Sequence, residues 1–351
     1  MVKKSNKGQE MEESLRNYFL KAGYYVARGV PFKYEGFDVT DIDLWLYSRT
    51  SPIARNISIV DIKNKKTPQA IERIFWVKGL GKAVNADNTT VATTDRRKEV
   101  KDFGKELGVV VLDGLFMSKL SKSPVSSFNR LTDEGFLDII ESYSLGKLDG
   151  DWKGKILNSK GLLAKGLTFD SCNQWIEVSK FFAEQIITKP TQVDVALRCF
   201  YLSLSFLAVG VDFMLKELSF LDNKDRKEKL AEGFTYGTKG KDGLDKMLNL
   251  SLNLVEQFSS EGTSLSSQVK AEVIHQFDAL PTQILGEYFG SNEVGKTLFE
   301  VARELESLSM CIEFNDHAVA SIELRSIIGC VLDFWSISRK DFNDASKMHN
   351  K

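Results

Sequence analysis

One stretch of the sequence ends an apolar run with an acid and a lysine. Residues 57–63 read ISIVDIK, and in an extended strand Asp61 and Lys63 would point to the same face, because successive side chains alternate between the faces of a sheet. A carboxylate and an ammonium delivered together to one edge of a sheet could form a structural ion pair. They could also be the metal ligand and the lysine of an enzyme that hydrolyses phosphodiester bonds.

A second alternating run brings another acid to the same region. The residues DIDLWLYS at 41–48 alternate so that Asp41 and Asp43 share a face, and the turn that follows predicts pairing with the strand of Asp61. Mg²⁺ prefers hard oxygen ligands, and a bound ion polarises a phosphoryl oxygen and lowers the pKa of its water. Either Asp41 or Asp43 could be the ligand. We favour Asp43, with Lys63 beside the attacking water.

The pattern of acid, any residue and lysine is weak by itself. It recurs at Asp151 and Lys153, at Asp222 and Lys224, and at Asp225 and Lys227. Only Asp61 and Lys63 end an apolar strand and follow another strand that presents acids at alternate positions. This context favours them as the pair that carries chemistry.

The elements around this pair predict a small α/β domain over residues 1–120. They are helices at 8–26 and 67–82, the latter opening with Thr67 and Pro68, strands at 41–48, 57–63, 89–94 and 108–114, and a polar helix between the last two. Two short apolar runs around a polar helix are typical of parallel strands and their crossover. We therefore expect a mixed central sheet flanked by helices.

The rest of the chain predicts an all-α domain. Residues 121–132 have the composition of a linker, and strand signals nearly vanish after them. Helical patterns cover 133–145, 171–188, 191–221, 241–258, 265–289, 294–308 and 316–337, and EGFTYGTKGKDG at 232–243 reads as a glycine-bearing break. We expect a helical domain over residues 133–351 that serves oligomerisation, sensing or partner binding.

Composition excludes several classes of protein. An apolar fraction of 42% and a charged fraction of 27% are ordinary for a soluble globular protein. The most apolar run, 199–211, is too short to span a bilayer, and the basic N-terminus has no apolar stretch behind it. The four cysteines form no CxxC pair and the three histidines have no zinc-ligand spacing. We expect a cytoplasmic protein that does not enter a membrane.

Charge is distributed unevenly along the chain. Residues 1–120 hold 21 Lys and Arg against 15 Asp and Glu, whereas the remainder holds 26 against 33. A polyanionic partner would therefore bind the N-terminal region. Lys65, Lys66, Arg73 and Lys78 would follow its phosphate backbone, although a solvated helix face would have the same composition.

Together these residues resemble the PD-(D/E)XK nuclease superfamily, and most of all its Mrr-type restriction endonucleases. Asp43 stands where the family has its first metal-binding acid, and Asp61 and Lys63 match its signature acid and lysine. Glu12 matches the glutamate of its first helix. The resemblance covers about residues 8–116, roughly a third of the chain.

This resemblance implies a restriction-endonuclease-like fold and a metal-dependent endonuclease. Glu12, Asp43 and Asp61 would bind Mg²⁺, for which Mn²⁺ can substitute, and Lys63 would complete the catalytic set. The expected substrate is double-stranded DNA, cut in prokaryotic restriction or anti-phage defence. A homodimer or higher oligomer would cut both strands, and a partner ATPase or sensor protein could control it.

Two alternatives remain open. The chain could be a non-catalytic nucleic-acid-binding or assembly module that keeps the nuclease fold. It could also cut RNA or a particular nucleic-acid structure rather than duplex DNA.

Overall fold

The computed structural model describes residues 7–65, 69–121, 129–143, 146–258 and 262–347. An N-terminal mixed sheet of five strands with flanking helices is followed by a largely helical C-terminal region. This confirms the fold class that the sequence predicts. The proposed N-cap Thr67, the following Pro68 and most of the linker, residues 122–128, lie outside the described residues.

The sheet places its strands in chain order. They are β1 Tyr25–Tyr34, β2 Phe37–Arg49, β3 Arg55–Lys63, β4 Asn88–Thr93 and β5 Val109–Leu112. The first three strands pair antiparallel, with Leu44 opposite Val60, and the last three pair parallel. β3 is therefore the strand at which the direction of pairing changes, and it is buried along nearly all of its length.

Helices cover both faces of the sheet. They are α1 Lys7–Lys21, α2 Ala70–Ala83, α3 Lys98–Glu106 and α4 Gly114–Leu120. The face of Leu44 and Val60 packs against Leu15 of α1, whereas the face of Ile59 packs against Ile74 of α2. The two faces alternate along β3 and along residues 44–47 of β2, as the apolar pattern of the sequence predicts.

Gly81 explains how closely α2 approaches the sheet. A Cβ atom at this position would lie 2.3 Å from Cγ2 of Thr89 on β4, so no larger residue fits without movement. The stretch GLGK at 79–82 is thus a helix segment shaped by packing.

The sequence prediction missed the strand β1. Gly29 and Pro31 interrupt its apolar alternation, and both residues usually mark a break. The residue pair Glu35-Gly36 nonetheless indicates a hairpin. It forms the two-residue turn before β2, where both residues take positive φ. Such a turn matches the twist of paired strands and favours glycine.

The C-terminal region contains eleven α-helices among the described residues. They are α5 Asp133–Tyr143, α6 Trp152–Lys165, α7 Phe169–Thr188, α8 Val193–Leu218, α9 Asn223–Tyr236, α10 Gly240–Phe258, α11 Gly262–Asp278, α12 Thr282–Phe289, α13 Asn292–Met310, α14 Ile322–Phe334 and α15 Arg339–Lys347.

Three of these helices and two boundaries differ from the sequence prediction. The helices α6, α9 and α15 were not predicted, although Asp151 and Asp222 cap the first two with side-chain hydrogen bonds. The predicted helix at 265–289 is two helices separated near Pro281, which cannot continue α11. The expected break at 232–243 begins only after Tyr236.

The apolar helix α8 forms the centre of the helical region. The segment Pro190–Leu218 is long and apolar enough to cross a membrane by length and composition, but 94% of its most apolar window is buried inside the molecule. It packs between α7 and α13. Its hydropathy is therefore that of a core helix.

The sheet and the helical region share one hydrophobic core. A continuous cluster of buried side chains runs from Trp45 and Ile59 of the sheet to Phe206 of α8. Asp212 of α8 is fully buried at this junction, where Tyr47 Oη and Arg55 Nε each donate to its Oδ2 at 2.6 Å. Core packing thus accounts for Trp45 and Tyr47, which are both fully buried.

Candidate active site

Asp43 and Asp61 lie side by side where the pairing of β2 with β3 ends. Leu44 is paired with Val60, so the next position along the ladder sets Asp43 across from Asp61. Asp43 also accepts from the backbone N–H of Ile62, next to Asp61, and the charge of Asp61 acts on it. The sheet therefore brings together the two acids that the sequence selected.

A backbone hydrogen bond fixes the Asp43 carboxyl group. Its Oδ2 accepts from the backbone N–H of Ile62 at 2.5 Å. The pKa of Asp43 rises from 3.8 to about 7, chiefly because the group is buried. The hydrogen bond and the charge of Lys63 lower this pKa, whereas the negative charges of Asp61 and Glu12 raise it. Such a displaced pKa in a cluster of charged groups is typical of functional sites.

An arginine holds the neighbouring acid. Asp61 is buried, and Arg73 of α2 donates from Nε to its Oδ2 at 2.8 Å and from Nη2 to its Oδ1. Both carboxylate oxygens thus face one guanidinium group, which is the strongest geometry for such a pair. The guanidinium also lies over the ring of Trp76, with its carbon 5.4 Å from the ring centre.

Glu12 approaches the site from α1 but faces a different arginine. Its Oε2 accepts from Nε of Arg28 on β1 at 2.8 Å. Arg28 also contacts Glu13, and two of its nitrogens donate to Glu134 of α5 at 2.8 Å each. The charge of Glu12 is felt by Asp43, yet its carboxylate is engaged elsewhere.

Lys63 shares the face of Asp61 and stays partly exposed. It forms no ion pair with any residue in the described ranges. Its charge nevertheless lowers the pKa of Asp43, which places the ammonium close to that carboxyl group. The lysine is thus available to contact a ligand at the strand ends.

The donor chemistry of these residues fits Mg²⁺, but their arrangement fits only in part. Carboxylates on adjacent strands are the ligands that this ion prefers. Within the described ranges, however, no three acidic, histidine or cysteine side chains lie close enough together to hold a metal ion. Asp61 and Glu12 would each have to leave an arginine before they could join Asp43.

The four residues expected to follow a phosphate backbone lie at different places. Lys65 is exposed just beyond β3, where its carbonyl oxygen accepts from Thr94 Oγ1 at 2.5 Å, and Lys66 lies outside the described residues. Arg73 is occupied by Asp61. Lys78 is exposed further along α2, with Nζ near Gly108, the residue that precedes β5. The structure therefore brings Lys65 and Arg73 near the acids, but not Lys78.

Sequence reasoning missed a group of basic residues at the same edge. Arg96, Arg97 and Lys98 follow β4 and are all exposed. The carboxyl end of β4 lies beside that of β3, because Lys63 pairs with Thr93 in the parallel ladder. Three consecutive bases that begin three residues after the end of a buried strand were the signal that could have revealed them.

A large cleft opens on the other side of Asp43. It has a volume of about 1280 Å³ and lies between the β1–β2 hairpin and the helices α5, α6 and α7. Eight acidic and four basic side chains line it, among them Glu12, Asp43 and Glu134. This acidic lining disfavours phosphate groups, so a polyanion would approach the acids from the side of Lys65 and Arg96.

Comparison with known proteins finds no relative. No protein-family model, no curated protein and no solved structure matches this chain. The resemblance to the PD-(D/E)XK nucleases therefore rests on the residues of this chain and on where its fold places them.

Proposed function

We propose that this chain is a Mg²⁺-dependent nuclease that hydrolyses phosphodiester bonds in DNA, in the cytoplasm of a prokaryote, as part of restriction or anti-phage defence. The observation that carries the proposal is the placement of Asp43 beside Asp61 on adjacent strands, with Lys63 on the same face. The raised pKa of Asp43 supports it, because burial and then the charge of Asp61 raise this pKa, while Lys63 lies close enough to oppose them.

Each residue of this set has a chemical role. Asp43 and Asp61, joined by Glu12, would hold the ion, which would supply Lewis acidity and a water of lowered pKa. Lys63 would orient the attacking water or donate a hydrogen bond to a phosphate oxygen. The pKa of Asp43 is about 7 without the ion, so Asp43 would release its proton when it binds the ion.

Substrate binding would use the basic edge of the sheet. Lys65, Arg96, Arg97 and Lys98 are exposed next to the strand ends, whereas the acidic cleft lies on the other side. Their contacts to phosphates would give affinity without sequence specificity. A second copy of the chain would supply the second cut of a duplex, and a partner ATPase or sensor could act through the helical region.

A cleavage assay tests the proposed activity. Supercoiled plasmid is incubated with the purified protein in Mg²⁺, Mn²⁺ or EDTA, alongside Asp61→Asn and Lys63→Ala. We expect metal-dependent nicking or linearisation, and a loss of about a hundredfold or more in each variant, since each removes a group needed in the transition state. Variants as active as the parent would refute the assignment of the site, provided that circular dichroism shows all proteins folded.

The second candidate is a non-catalytic nucleic-acid-binding module. The pairing of Asp61 with Arg73 and of Glu12 with Arg28 favours it, because both acids already have partners. Such a module would bind DNA with a strong dependence on salt but would bind no Mn²⁺ in calorimetry. An RNA or structure-specific nuclease would instead bind Mn²⁺ and cut those substrates in preference to plasmid.

A further inference from the structure

Arg73 and Asp61 form a contact that a metal site could not tolerate unchanged. The guanidinium group faces both oxygens of Asp61, through Nε at 2.8 Å and through Nη2. A cation bound to Asp61 would need at least one of these oxygens and would repel the guanidinium. Arg73 and a metal ion therefore compete for the same carboxylate.

The side chain of Arg73 can move away from Asp61, because water and a second partner lie within its reach. Its side chain is 23% exposed, whereas that of Asp61 is 7% exposed, so the arginine can reach water while the acid stays in place. Trp76, one helical turn further along α2 and partly exposed, already lies under the guanidinium. Stacking on an aromatic ring stabilises a cation without a carboxylate.

A phosphate group would complete the exchange. Arginine binds phosphate oxygens with the same planar pair of donors that it offers to a carboxylate. Arg73 lies at the strand ends, on the side where Lys65 and Arg96 are exposed. A nucleic acid seated on that edge would bring a phosphate within reach of the arginine as it leaves Asp61.

We propose that Arg73 exchanges Asp61 for a substrate phosphate, so that the metal ion and the nucleic acid each favour binding of the other. This inference rests on the proposed nuclease function and adds to it a residue that couples the two ligands. In the unbound protein Arg73 neutralises Asp61, and in the loaded protein the cation takes Asp61 while Arg73 takes the phosphate. By linkage, each ligand raises the affinity of the other by the same factor.

The first test measures metal affinity without nucleic acid. Mn²⁺ is titrated into the parent, Arg73→Ala and Arg73→Lys in a calorimeter. We expect about tenfold tighter binding in Arg73→Ala, within the usual range of coupling between two sites. Arg73→Lys distinguishes competition for the two oxygens of Asp61 from simple repulsion of the ion by a positive charge. Lysine keeps the charge but cannot hold both oxygens. We expect its affinity to exceed that of the parent as well.

The second test measures DNA affinity in EDTA, where no cleavage occurs. Fluorescence anisotropy with a labelled duplex compares the parent, Asp61→Asn and the control Asp41→Asn, which removes an exposed acid from the same strand face. Freeing Arg73 should tighten binding about fivefold or more in Asp61→Asn. The control should change it less, and Asp61→Asn combined with Arg73→Ala should lose the gain.

The outcomes separate the exchange from the nuclease assignment. Equal Mn²⁺ affinity in the parent and both Arg73 variants would overturn the exchange while leaving the metal site intact. Absence of Mn²⁺ binding in all three folded proteins would overturn the metal site and the exchange with it. Arg73→Lys protects the test against misfolding, since it leaves a cation beside the buried Asp61.

Discussion

At pH 7 Asp43 is about half protonated, whereas an aspartate in water is almost fully ionised. Burial is the first cause, and the negative charge of Asp61 on the next strand adds to it. The fold therefore holds Asp43 in a place where its charged form is disfavoured. Burial of Asp43 lowers the free energy of unfolding, because the unfolded chain leaves this group in water. Functional sites commonly lower the stability of a protein in this way.

The proton on Asp43 predicts how stability depends on pH. The folded state binds this proton more tightly than the unfolded chain, so the contribution is complete below pH 4 and is lost as the pH rises through about 7. The rise in the pKa of Asp43 corresponds to about 4 kcal/mol in the free energy of unfolding. We expect about half of this value, because the carboxyl group keeps some contact with water. Asp43→Asn should therefore be about 2 kcal/mol more stable than the parent at pH 8.

Urea unfolding of both proteins at pH 5 and pH 8 measures this difference. The exposed Asp41→Asn serves as the control and should follow the parent at both pH values. If Asp43→Asn lost as much stability as the parent between the two pH values, the raised pKa of Asp43 would be wrong.

At the scale of elements, α2 links packing to the site. Its first turns carry Arg73 to Asp61, while its last turn lies so close to β4 that only glycine fits at position 81. Contacts at the C-terminal end of α2 thus set the position of the helix. This position in turn determines whether Arg73, near its N-terminal end, reaches Asp61. A small displacement of α2 would change the contact between Arg73 and Asp61.

Two glycines of α2 provide a matched test of this close approach. Gly81→Ala should destabilise the protein by about 1–3 kcal/mol, because the added Cβ would lie 2.3 Å from Thr89 Cγ2. At Gly79 nothing lies within 4 Å of the same atom, so Gly79→Ala should stabilise the helix by up to about 1 kcal/mol. Thermal unfolding of the two variants checks the opposite signs, and a stable Gly81→Ala would show that α2 can shift freely.

Elements with a regular pattern could be predicted from the sequence, and contacts between distant elements could not. The strands β2 and β3 and their antiparallel pairing follow from alternation and a short turn, and so does the shared face of Asp43 and Asp61. By contrast, β1 was hidden by Gly29 and Pro31. The pairing of Arg73 with Asp61 was equally out of reach, because spacing along the chain does not show which base a buried acid will meet.

At the scale of the whole molecule, buried charges join the two regions. Asp212 of α8 lies against Arg55 and Arg49 of the sheet, and Asp133 of α5 lies against Arg16 of α1 at 2.7 Å. Buried pairs of this kind do not by themselves stabilise strongly, but removing one partner leaves a charge without compensation. A displacement of the helices against the sheet would therefore leave buried charges unpaired.

Asp212→Asn tests this junction. The variant leaves the buried Arg55 and the partly exposed Arg49 without their carboxylate, so we expect a loss of about 3–5 kcal/mol in the free energy of unfolding. Tyr47→Phe removes one hydrogen bond to the same group and should cost about 1–2 kcal/mol. Asp278→Asn, on the exposed side of α11, should change little. The junction would be unimportant if Asp212→Asn unfolded at the same urea concentration as Asp278→Asn.

The shared core also limits the modularity of the chain. A fragment ending at residue 120 would keep the sheet but uncover Trp45 and Tyr47, which are fully buried in the whole molecule. Such a surface favours aggregation. Recombination in evolution would meet the same obstacle, since a sheet transplanted onto another helical partner would need a matching apolar surface and an acid at the place of Asp212. The two regions therefore have to be inherited and modified together.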